Sequence, residues 1–103
     1  MFIGKVTGSV VASQKVKSVI GRKLLLVQAM NVKGDAPGTL ESTGRTAVAI
    51  DTVGAGEGEL VLVTQGSSAR LTETTGDVPT DAVIIGIIDA IQMRDQEIYK
   101  KQG

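Results

Sequence analysis

The stretch Asp51–Arg70, DTVGAGEGELVLVTQGSSAR, constrains this chain more than any other. Three glycines at alternate positions, Gly54, Gly56 and Gly58, stand between two strand-like runs. The apolar run Leu60–Val63 follows, and then a second turn, Gly66-Ser67-Ser68-Ala69-Arg70. An ordinary hairpin closes with a two-residue loop holding one Asn-Gly or Asp-Gly. Glycine is needed where the backbone takes positive φ or where another backbone comes too close for a Cβ. Three of them in one turn predict that something packs tightly against it, either a ligand or another chain.

On either side of this stretch the apolar residues recur with the period of strands. Phe2–Ser13 is rich in β-branched residues and places Phe2, Val6 and Val10 on one face, with Gly4 and Gly8 as points of bending or close approach. Gln14–Arg22 reads as a polar, basic loop. Lys23–Met30 is a second strand, apolar on both faces through Leu24–Val27. Asn31–Gly44, with its glycines and Pro37 and no steady period, reads as a long surface loop. Thr46–Val53 is expected to be the third strand and Leu60–Gln65 the fourth. Ser67–Thr72 has the composition of a short helical turn with Ser67 as its cap, and Thr74–Asp81 is a connection. Ala82–Met93 reads as a fifth strand, the most apolar segment, with Gly86 marking a bulge or barrel bend. Gln96–Lys101 is expected to pair back on it as a hairpin arm.

The fold class is therefore mainly β: a small five-stranded OB-like barrel with a short helical turn and a C-terminal hairpin arm, in a single domain over residues 1–103. A chain of this length buries roughly 60–70% of the surface its unfolded form exposes, enough for one modest core. The second and fifth strands do not suit a lone barrel, whose strands alternate apolar-in with polar-out. Their spare apolar faces need cover, and a second copy of the same chain supplies it most simply.

Composition excludes much chemistry. Cysteine and histidine are both absent, which removes disulfides, thiolate metal sites and the usual general base. Eleven basic residues balance eleven acidic ones, so the chain has no overall attraction to nucleic acid or anionic membrane. The charges are uneven, however. Residues 1–51 carry Lys5, Lys15, Lys17, Arg22, Lys23, Lys33 and Arg45 against three acids, whereas residues 52–103 carry eight acids against Arg70, Arg94, Lys100 and Lys101. Such a bias suits a head-to-tail oligomer in which unlike faces meet. No signal peptide or membrane-spanning run is present, so a cytoplasmic location is expected.

The glycine turn lacks the residues of a phosphate cradle. Gly54-Ala55-Gly56 begins like a dinucleotide fingerprint, but Glu59 stands where the third glycine belongs, and the turn leads into a strand rather than a helix. Gly66–Arg70 faintly resembles a nucleophile elbow but has no closing glycine, and no triad exists without histidine. Asp51, Glu57, Glu59, Asp77, Asp81 and Asp89 follow no calcium-loop spacing and read as solvated loop charges. An OB-like barrel also raises single-stranded nucleic acid or a peptide edge as a ligand. Base stacking needs aromatics, and this chain offers only Phe2 and Tyr99 beside the basic cluster Lys15, Lys17, Arg22 and Lys23. No cofactor and no metal are expected.

Four stretches in order, GKVTGSVVASQK, GRKLLLVQ, VAIDTVGAGEGELVLVTQGSSAR and VPTDAVIIGIIDAI, resemble the bacterial microcompartment vertex proteins, the EutN/CcmL family. The resemblance runs from Gly4 to Ile91. Family members often show Val-Asp-Ala after the proline, where this chain has Pro79-Thr80-Asp81-Ala82. The resemblance implies a five-stranded barrel forming a homopentamer, a structural corner piece of a polyhedral shell built mainly from hexameric tiles, with no enzyme activity. The candidate subunit-interface residues are Gly54, Gly56, Gly58, Glu59, Ser67, Ser68 and Arg70. Arg70 is expected to grip a carboxylate, Asp51 or Glu59, through two parallel hydrogen bonds.

Overall fold

The computed structural model describes residues 1–13, 23–33, 39–66 and 82–101. Five strands close into a barrel in the order β1-β2-β3-β5-β4: β1 (Phe2–Val10), β2 (Lys23–Lys33), β3 (Thr39–Asp51), β4 (Leu60–Gln65) and β5 (Ala82–Ile87). A separate two-stranded ribbon follows, β6 (Ala90–Met93) paired with β7 (Gln96–Lys100). The expected barrel and hairpin arm are both present. The short helical turn expected over Ser67–Thr72 lies outside the described residues, as do the Gln14–Arg22 loop and the Thr74–Asp81 connection.

Alternation builds the core. Val6, Leu25, Val27, Ala49, Val61, Val63, Ala82 and Ile84 point inward and form one buried cluster, joined by Ala55 from the glycine turn. Each fully buried Val or Ile contributes about 1.5–3 kcal/mol relative to exposure. All pairings are antiparallel except β3 with β5, which run parallel and meet at Ile50↔Val83 and Asp51↔Ile84. Thr52 adds a hydroxyl bond to the Ile84 carbonyl at 2.7 Å. The ladder slips opposite Gly86, where Leu62 faces Gly86 and Val63 faces Ile84, leaving Ile85 as the extra residue. The bend expected at Gly86 is thus a bulge.

Two boundaries differ from expectation. The third strand begins at Thr39, not Thr46, and the second runs on to Lys33, so most of the Asn31–Gly44 segment is hairpin rather than loop. The reason is burial. From Thr39 to Thr46 every residue but Leu40 is exposed, so no apolar alternation marks a strand held by its ladder, by Val32 opposite Leu40 and by the Lys33–Glu41 ion pair at 3.0 Å. The fifth strand is the second difference. It stops at Ile87, and the chain leaves the barrel through Ile88 and Asp89 before β6 begins. The Ile88 amide still donates to the Leu60 carbonyl at 2.9 Å, whereas the Asp89 carbonyl receives Lys101 N–H at 2.7 Å.

The expected second apolar face exists. Leu24 and Leu26 on β2 stand outward opposite Ile50 and Val48 on β3, and Ile50 in turn faces Val83 on β5. Ile50 and Val83 are buried, but Val48 remains 47% exposed and Ile85 37%. The outer surface of β2, β3 and β5 is therefore an apolar sheet face with part of it open.

Candidate assembly site at the glycine turn

The turn from Thr52 to Glu59 is shaped by two carboxylates. Asp51 ends β3 with its side chain almost fully buried, and its oxygens accept three successive backbone N–H groups: Val53 at 3.0 Å, Gly54 at 3.2 Å and Ala55 at 2.9 Å. This is an Asx-type turn extended by one residue, and it swings the chain off β3. Glu59 does the same from the other end, accepting the Gly56 N–H at 2.6 Å. Between them the backbone takes positive φ at Gly54 (78°) and Gly58 (89°).

Neighbouring elements tie the turn down. Val6 of β1 donates its N–H to the Glu59 carbonyl at 3.0 Å and accepts the Gly58 N–H at 2.8 Å, which prolongs the β1–β4 ladder into the turn. Lys23 at the head of β2 donates to the Ala55 carbonyl at 3.0 Å and stands 3.7 Å from the Asp51 carboxylate. Lys101, at the end of the ribbon, pairs with the second oxygen of Glu59. The Lys101 hydrogen bond first, and the Gly56 N–H second, hold the Glu59 carboxyl below its ordinary range; the same bond raises the Lys101 ammonium above its own.

The sequence-predicted residues divide accordingly. Gly54, Gly56, Gly58 and Glu59 come together in this turn. Gly54 and Gly58 have open space where a Cβ would project, so within the subunit they answer a need for positive φ rather than a close approach. A Cβ on Gly56 would meet only the Glu59 Oε1, at 3.3 Å. Ser67, Ser68 and Arg70 lie outside the described residues, as do Asp77 and Asp81. The two carboxylates considered for Arg70 are engaged otherwise among the described residues, Asp51 by its own turn and Lys23, Glu59 by Gly56 and Lys101.

Sequence reasoning missed two of these roles. Asp51-Thr52-Val53-Gly54 carries the Asx-turn signal and was open to that reading. Lys101 gave no such signal, being remote in sequence from Glu59. No group of three potential metal-ligand side chains occurs among the described residues. A groove of about 200 Å³ opens beside it, with Gly8 and Ser9 on one side and Ala55, Gly56 and Glu57 on the other. The turn and this groove present an edge lined by Gly8, Ala55 and Gly56.

The chain is similar to known proteins along most of its length. The chain is 44% identical over 91 residues to the bacterial microcompartment shell vertex protein PduN of Salmonella typhimurium, an alignment covering 88% of this chain and 98% of that protein. The solved structure of Gloeobacter violaceus CcmL superposes with a TM-score of 0.86 at 42% identity, covering 98% of both chains. The GrpN pentameric microcompartment shell protein from Rhodospirillum rubrum superposes with a TM-score of 0.73 at 41% identity, covering 90% of this chain and 98% of that one. The family described as "Ethanolamine utilisation protein EutN/carboxysome" matches residues 1–89, the whole barrel with its glycine turn, and the chain belongs to this EutN/CcmL family.

Proposed function

We propose that this chain is a structural shell protein whose cyclic homopentamer caps the vertices of a polyhedral bacterial microcompartment. The observation that carries the reading is the second apolar face on β2, β3 and β5 of a barrel that already has a complete core. An isolated small barrel has no use for Val48 and Ile85 in water; a neighbouring subunit covers them. The relatives named above, a shell vertex protein and a pentameric shell protein, support the same assembly.

The work done is geometric. A flat layer of hexagonal tiles cannot close on itself, and fivefold pieces at its corners supply the curvature. A cyclic ring repeats one heterologous contact, so the two sides of each subunit must differ. The glycine turn forms one side, with Gly54, Gly56, Gly58 and Glu59 at its edge, and Ser67, Ser68 and Arg70 belong to the same contact. The basic first half and acidic second half favour such unlike pairing. The ring meets hexameric shell proteins around its rim, in the bacterial cytoplasm, and binds neither nucleic acid nor membrane. It catalyses no reaction and needs no cofactor.

Native mass spectrometry of the purified protein tests this directly. A discrete five-subunit species at micromolar concentration is expected, and a stable, folded monomer would overturn the reading.

A further inference from the structure

The ribbon β6–β7 is joined to the barrel differently from every other strand. Among the described residues it shares no ladder with the barrel sheet. Its base is closed internally by the Lys101 N–H bond to the Asp89 carbonyl, so Ile88 and Asp89 form its stem. The family match ends at residue 89, one residue before β6 begins. A two-stranded hairpin alone is at best marginally stable in water, so docking decides whether this one stays ordered.

Two features define the docked position. Tyr99 of β7 forms one wall of a groove of about 290 Å³ whose other sides are Lys5, Met30, Leu40, Gly58 and Leu60 of the barrel. Lys101 reaches Glu59 across the mouth of the glycine turn, and Glu59 simultaneously holds the Gly56 N–H with its other oxygen. The carboxylate thus serves the ribbon with one oxygen and the turn with the other. We infer that the β6–β7 ribbon is a strap that docks and undocks about its Ile88–Asp89 stem, latched by Lys101 on Glu59, and that its release opens the Tyr99 groove and leaves the glycine turn braced from inside the barrel alone. This inference stands on the subunit's own geometry and does not require the shell assignment.

Tyr99 is the one tyrosine of a chain without tryptophan, so its emission reports the ribbon alone. The test uses the full-length protein in its native oligomeric form, with acrylamide quenching of Tyr99 and amide exchange of β7 measured against β4 as the internal standard. Glu59→Gln keeps an acceptor for Gly56 and removes the charge; Lys101→Met removes the other partner without touching the barrel. Each is expected to raise β7 exchange and Tyr99 quenching by roughly three- to five-fold, the factor a well-formed exposed ion pair supplies. The double variant should add little beyond either single one, and Lys33→Met, which breaks the remote Lys33–Glu41 pair, should change neither signal. Unchanged β7 exchange in both single variants would overturn the strap. So would fully additive effects in the double variant, because the two residues would then act independently.

Discussion

Lys23 and Asp51 face each other as register partners at the end of the β2–β3 ladder, with the ammonium 3.7 Å from a carboxylate that is almost wholly buried. The aspartate's main partners are the N–H groups of Val53, Gly54 and Ala55, so the acid is the anchor and the lysine an accessory. Asp51→Ala strands those donors, one of them on fully buried Ala55, and is expected to destabilise the subunit by about 3 kcal/mol. Lys23→Met loses a half-exposed pair and is expected to cost about 1 kcal/mol or less. Urea denaturation midpoints of the two variants check the ranking, and an Asp51→Ala protein as stable as Lys23→Met would refute it.

The three turn glycines should separate into two classes. Gly54→Ala and Gly58→Ala put a side chain at positive φ, which costs about 1–2 kcal/mol in the subunit itself. Gly56 has no such constraint, and its nearest obstacle is the end of the flexible Glu59 side chain. Gly56→Leu should therefore leave subunit stability nearly unchanged and weaken oligomerisation, if a neighbour approaches the turn. Thermal melts beside analytical ultracentrifugation distinguish the classes; intact Gly56→Leu pentamers would remove Gly56 from the interface.

Arg70 is proposed as an anchor between subunits. With Asp51 and Glu59 already committed inside the subunit, a contribution from Arg70 is expected to show in oligomer dissociation rather than in subunit unfolding. Arg70→Ala should cost roughly 3–5 kcal/mol of assembly if its pair is buried. Lys33→Ala breaks an exposed pair and should cost no more than about 1 kcal/mol. Equal dissociation midpoints for the two variants would return Arg70 to the solvent.

Ribbon docking should depend on pH at both extremes. The Lys101 bond and then the Gly56 N–H depress the Glu59 carboxyl below its ordinary value of 4.5, and Lys23 adds a weaker pull. A depressed acid stabilises above its unfolded value and loses that contribution as pH falls through the folded one. The Lys101 ammonium is raised above 10.5 chiefly by its bond to Glu59, with weaker pulls from Asp89 and Tyr99, so its contribution persists below that value and is lost as pH rises past the folded one. Partial desolvation opposes both shifts. Acrylamide quenching of Tyr99 should stay flat between about pH 5 and pH 9 and rise at more acidic pH. Glu59→Gln should abolish the acid limb. An acid limb that survives the substitution would assign it to another group.

The ribbon's turn leaves room for improvement. Arg94 and Asp95 both take positive φ, 50° and 66°, in the two-residue connection between Met93 and Gln96. That is the backbone of a type I′ turn, for which Asn-Gly is the favoured pair. Arg94→Asn combined with Asp95→Gly should stabilise the ribbon by about 1 kcal/mol, seen as slower β7 exchange with β4 unchanged. Faster exchange would show that these side chains hold the ribbon in ways their φ angles do not reveal.

How far these features could be read in advance followed from where each residue sits relative to the core. β1, β4 and the barrel part of β2 were legible because Val6, Leu25, Val27, Val61 and Val63 alternate around one apolar interior. The first half of β3 was not, since Thr39–Thr46 touches solvent on both faces and its strand character comes from hydrogen bonds that leave no hydrophobic trace. The break after Ile87 was hidden for the opposite reason: the apolar run continues through Ile88, and Asp89 is the single interruption before Ala90. In the site, the need for glycine was visible but its cause was not. Positive φ at Gly54 and Gly58 and a packed neighbour produce the same letter. The Glu59–Lys101 latch joins residues far apart in the chain, which local pattern cannot foresee.

The parallel contact of β3 with β5 has a consequence for how the subunit forms. β1, β2 and β3 pair as neighbours along the chain, and β4 pairs with β5, so two antiparallel units can fold from local contacts. Joining them requires two seams, β1 to β4 and β3 to β5, and among the described residues the second is held by Ile50↔Val83, Asp51↔Ile84 and the Thr52 hydroxyl bond. Loop-closure entropy must be spent before so few contacts reward it, so this seam is expected to form late and open early. A nascent subunit would then pass through an open, curled sheet. The same outer face that carries Leu24, Val48 and Ile85 borders that seam, so a neighbour settling on it would close the barrel and complete the ring in one step.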